Sequence, residues 1–81
     1  MPRLRRMSGS EAIAALRRFG FEMVSQRGSH AKLVRITEAG ERQVVTVPTH
    51  SELDTGTARA LFRQAARFIP ADELRPYFYA D

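Results

Sequence analysis

At 81 residues the chain suits one domain with one small core; 43% hydrophobic and 27% charged residues argue against disorder, and no apolar run approaches the ~20 residues of a membrane helix. Cysteine is absent and histidine occurs twice, which excludes disulfides, thiolate nucleophiles and cysteine-ligated zinc, so no metal and no cofactor are expected. The net charge is +4, carried almost wholly by arginine, whose planar fork matches phosphate; nucleic acid is the first partner class to consider.

Residues 1–7 read as a flexible basic arm (Arg3, Arg5, Arg6) ahead of a single domain over 8–81. No hydrophobic stretch follows the arm as in a secretory signal, so no membrane contact and a cytoplasmic location are expected. Ser8 and Glu11 have the spacing of a capping box, and Ala12, Ala15, Leu16 and Phe19 form an apolar helical face. This predicts a first helix over about 9–19, closed by Gly20. Phe21 to Ser25 alternates as a strand, and Gln26 to Ser29 forms a turn. His30 to Thr37 is the next strand, Glu38 to Glu41 a hairpin turn, and Arg42 to Val47 a third strand ended by Pro48. Short turns between three strands imply an antiparallel meander.

Thr49 to Gly56 reads as a polar loop, with Thr57 as N-cap of a second helix. That helix has an apolar face of Ala58, Leu61, Phe62 and Ala65 and a basic stripe of Arg59, Arg63 and Arg67 on its flank. Pro70 halts it, and Ala71 to Leu74 reads as one short turn broken before Pro76. Tyr77, Phe78 and Tyr79 either stack on bases or pack on the domain. The predicted fold is α+β, in the order α-β-β-β-α of the double-stranded-RNA-binding domain, with both helices on one face of a three-stranded antiparallel sheet. The middle strand leaves its inward face undecided. Val34 and Ile36 lie with His30 and Lys32, while Ala31 and Leu33 lie with Arg35.

The strongest chemical signal is Gly28-Ser29-His30, where the first hairpin turn enters the middle strand. A glycine turn can present backbone N–H groups to a phosphate, and a histidine beside it titrates near neutral pH. RNA carries its own nucleophile, the 2′-hydroxyl, so an enzyme need only move protons and steady the phosphate. The plainer reading is a surface histidine in a turn. Ser29 either donates to phosphate or closes the turn. Lys32 shares His30's face and either holds the phosphate or is a solvated strand residue.

Gly20-Phe21, Gly28-Ser29-His30, Val47-Pro48-Thr49-His50, Gly56-Thr57 and Arg63-Gln64-Ala65, in that order and spacing, resemble the HicA family of toxins. The resemblance runs from about Ser8 to Ile69. It implies a ribosome-independent mRNA interferase on a double-stranded-RNA-binding-like fold, with His30 as the catalytic residue. It also implies an antitoxin partner, HicB, that covers the active surface. His50 matches a histidine common after the family's Val-Pro. It is a second proton-transfer group, a phosphate contact, or a loop histidine bonded to nearby backbone. Asp54 and Thr55 stand where relatives often carry lysine and proline, and the tail after Pro70 is outside the shared pattern. The expected function is therefore a metal-independent endoribonuclease toxin acting on mRNA. Gly28, Ser29, Lys32, His50, Arg59, Arg63 and Arg67 are its expected RNA contacts. The alternatives are a non-catalytic RNA-binding module of the same fold and a protein-interaction domain whose charge is incidental.

Overall fold

The computed structural model describes residues 2–80, so the end residues of the arm and domain ranges, Met1 and Asp81, lie outside the described residues. A short strand, β1 (Arg3–Leu4), precedes α1 (Gly9–Arg17), which starts at the expected capping box. The Ser8 hydroxyl accepts from the Glu11 N–H at 3.0 Å, and the Glu11 carboxylate accepts from the Ser8 N–H at 2.8 Å. The helix ends two residues earlier than predicted. The Arg18 N–H donates to the Ala15 carbonyl, tightening the last turn, and Gly20 turns the chain with φ of 93°.

Strands β2 (Glu22–Arg27), β3 (His30–Ile36) and β4 (Arg42–Pro48) form an antiparallel sheet in the order β2-β3-β4. The register of β2 on β3 shifts between Met23 and Ser25, leaving Val24 as a bulge. Ala31 and Leu33 are fully buried under the helices, whereas His30, Lys32 and Ile36 are exposed on the other face. That decides the inward face of the middle strand. Arg35 also lies on the inward side, half-buried, because its guanidinium finds three acceptors at 2.8 Å: the Phe19 and Phe68 carbonyls and Gln43 Oε1. It stands over the Phe21 ring and ties off the chain just beyond two helices, where a cation suits the carbonyl ends.

Helix α2 (Thr55–Ala65) lies against β4 and begins three residues before the predicted start. Its N-cap is Asp54, not Thr57; the Asp54 carboxylate accepts the Thr57 N–H at 2.7 Å. An ionised carboxylate is the stronger acceptor for a helix N-terminus, which accounts for the change. Beyond Pro70 the expected single turn is a complete helix, α3 (Ala71–Phe78), with Pro76 inside it. Burial of Leu74 and Phe78 offsets the backbone bond that proline cannot make. α3 packs on α1 and α2, and its C-terminus leads into β5 (Tyr79–Ala80), which pairs antiparallel with β1.

Residues 3 and 4 of the expected flexible arm are thus held in a strand pair. The Arg5 N–H donates to the Phe78 carbonyl at 2.7 Å, and Met7 is buried. The aromatic tail packs rather than stands free. Tyr77 meets Phe19 edge-on, Tyr79 meets Phe62, and Phe78 is fully buried. No helix among the described residues is long and apolar enough to cross a membrane.

Candidate RNA-cleavage site

A two-residue turn, Gly28-Ser29, joins the paired residues Arg27 and His30. Gly28 has φ of 57° and Ser29 does not have positive φ, the pattern of a type II′ hairpin turn, which calls for glycine first. A Cβ built on Gly28 would meet nothing within 4 Å, so the turn has open space on that side. The Gln26 amide donates to the Gly28 carbonyl at 3.2 Å, and the Thr49 N–H donates to the Ser29 carbonyl at 2.7 Å. The turn is therefore tied both to its own strand and to the chain leaving β4.

His30 is exposed at the start of β3, on the face turned away from the helices. Its register partners are Arg27 on β2 and Pro48 on β4; next along the face, Lys32 pairs with Ser25 and Thr46. Cross-strand partners share a face, so Arg27 and Lys32 place two cations around His30. Sequence periodicity identifies Lys32, but the hairpin register is needed to find Arg27. A Gly-Ser pair closing a two-residue turn is the sequence signal that could have supplied that register.

His50 is exposed in the loop after β4. Its carbonyl accepts the Gly9 N–H at 2.8 Å, and a Cβ at Gly9 would clash with the Pro48 carbonyl, so α1 begins pressed onto this loop. The Leu53 N–H donates to the Met7 carbonyl at 2.8 Å, closing the loop from its other side. The Asp54 carboxyl is held below its usual range, first by the backbone N–H and then the hydroxyl of Thr57, with smaller help from the Gly56 N–H and the charge of His50. Arg6 and Glu52 form an ion pair at 3.3 Å, but with 86% and 60% exposure it contributes little. The hairpin turn, the His50 loop and the first residues of α1 and α2 thus meet at one end of the sheet.

The arginine stripe is not brought to that site. Ala58, Leu61 and Ala65 point into the core, so Arg59 and Arg63 project from the solvent side of α2, across the helical layer from His30. Arg67 lies beyond the end of α2, over the Phe68 ring. Between stripe and sheet, Gln64 Oε1 accepts the Thr46 N–H at 2.9 Å and covers part of the β4 edge. Among the described residues no three His, Asp or Glu side chains are grouped to hold a metal ion.

A meander backed by helices, with an exposed histidine at the mouth of its first hairpin, defines a small α+β protein of the double-stranded-RNA-binding-like fold. The family description "HicA toxin of bacterial toxin-antitoxin" matches residues 9–66, most of the chain and the whole span from α1 to the end of α2. The chain belongs to the HicA toxin family, and is therefore the toxin of a toxin–antitoxin pair with a cognate antitoxin as partner. α3 and the β1–β5 pair lie outside the match. No curated protein matches the chain.

Proposed function

We propose that the protein is a metal-independent endoribonuclease that cuts mRNA in the cytoplasm, with His30 as general acid–base. His30 takes the proton of a 2′-hydroxyl, the 2′-oxygen bonds to the adjacent phosphorus, and the bond from phosphorus to the 5′-oxygen breaks as that oxygen takes up a proton. Lys32 and Arg27 hold the phosphate charge, and the Gly28-Ser29 turn leaves room for the strand to approach. His50, Arg59, Arg63 and Arg67 supply further RNA contacts, and a HicB-like antitoxin silences the protein by covering the open sheet face. The observation that carries this reading is an exposed His30 between two cations, on a turn fixed at both ends, in a chain of this toxin family.

The test is His30→Ala. A positioned proton-transfer group contributes about 10²–10⁴-fold, so the variant should keep its fold and lose RNA cleavage and growth arrest by at least ~10²-fold. A folded variant that cuts at near wild-type rate would sink the mechanism. One that binds RNA unchanged, alongside a wild type that does not cut, would mark a binding module instead.

A further inference from the structure

The chain has two imidazoles, and the fold brings their backbones to one place. His30 pairs with Pro48, and the next step of the same ladder is the bond from the Thr49 N–H to the Ser29 carbonyl. The residues immediately preceding the two histidines are thus bonded to each other. His50 directly follows Thr49 and Gly28 directly precedes Ser29, and a Cβ built on Gly28 would meet nothing within 4 Å, so the turn is open on that side. The Gly9 N–H on the His50 carbonyl fixes the loop there. The neighbours of the two histidines differ in sign: Arg27 pairs across from His30 and Lys32 follows it on the same face, whereas Asp54, the N-cap of α2, lies four residues along the loop from His50. Opposite surroundings are how two like groups take opposite proton-transfer roles.

We propose that His50 is the general acid of the reaction, protonating the 5′-oxygen as it leaves, while His30 is the base. This rests on the endoribonuclease reading above. In the step, the His30 imidazole removes the 2′-hydroxyl proton and the 2′-oxygen forms a bond to phosphorus. The bond from phosphorus to the 5′-oxygen breaks, and its electron pair takes the proton of the His50 imidazolium. The products are a 2′,3′-cyclic phosphate and a 5′-hydroxyl, with His30 protonated and His50 neutral. Solvent exchange restores both.

The experiment compares two RNAs, one normal and one with sulfur in place of the bridging 5′-oxygen at the cut site. A thiolate leaves without a proton, so loss of a general acid should cost nothing on the sulfur substrate. His50→Gln should slow the normal RNA by about 10²-fold or more and cut the sulfur RNA within about tenfold of wild type. His30→Ala should slow both. Equal loss on both RNAs in a His50→Gln protein with unchanged melting temperature would overturn the assignment and make His50 a binding contact. No loss on either would overturn it too. His50→Asn serves the same comparison if the glutamine variant melts early. Failure of the parent reading is distinct: wild-type protein would cut neither RNA, or His30→Ala would cut both.

Discussion

Replacing Arg35 with methionine should be the most damaging single change outside the apolar core. The substitution keeps an aliphatic stem against Phe21 and removes donors from three acceptors, each now held at 2.8 Å. Hydrogen bonds to a charged group contribute about 1.5–3 kcal/mol each, but Arg35 is half-buried and water can reach part of the site, so we expect a loss of roughly 3–4 kcal/mol. At about 0.05–0.15 kcal/mol per residue, a domain of this length has only about 4–12 kcal/mol in total. With about 4–8 °C lost per kcal/mol, the melting temperature should fall by roughly 12–30 °C. Arg35→Lys keeps the charge, but one ammonium cannot reach the Phe19, Phe68 and Gln43 oxygens together, so it should recover less than half of the loss. The assay is thermal unfolding followed by circular dichroism. A methionine variant melting within about 3 °C of wild type would refute the view that this side chain holds the helix ends to the sheet.

RNA binding should weaken with salt, with each neutralised phosphate adding about 0.7 to the log–log slope for a single strand. Changing Arg59, Arg63 and Arg67 to glutamine should flatten that slope; an unchanged slope would mean that the solvent side of α2 does not meet RNA. Asp54 should contribute pH-dependent stability. Its carboxyl is held low in the folded chain by Thr57, so its contribution is complete above the ordinary carboxylate pKa of about 3.9 and is lost as pH falls through the lowered folded value. Melting curves of wild type and Asp54→Asn should therefore converge as acid is added, and a gap that stays constant down to about pH 2 would contradict the cap's charge.

Local chemistry made much of the fold legible. The capping box at Ser8 and Glu11, the turns at Gly28 and Gly40 and the β-branched run of β4 each point to one structure. Arg35 hid the inward face of β3, because a charged residue beside Ala31 and Leu33 cancels their hydrophobic signal until its three distant acceptors are known. Pro76 misled in the same way: proline argues locally against a helix, and the burial of Leu74 and Phe78 that outweighs it comes from contacts far along the chain. The docking of Arg3 and Leu4 depends on β5, some seventy-five residues away. At the candidate site, the motif points to His30 and Lys32, but only the strand register adds Arg27, and only the bond between Thr49 and Ser29 brings His50 to the turn. The Arg59, Arg63 and Arg67 stripe is visible as a period of four, yet periodicity within one helix says nothing about which side of the sheet that helix covers.

End-group analysis of RNA cut by the wild-type protein in excess EDTA bears most directly on cleavage through the substrate's own 2′-hydroxyl. Cleavage should continue undiminished and leave a 2′,3′-cyclic or 3′-phosphate with a 5′-hydroxyl. Activity that vanishes in EDTA and returns with Mg²⁺, or products bearing 5′-phosphates, would contradict it and move the chemistry from His30 to the carboxylates of Glu52 and Asp54.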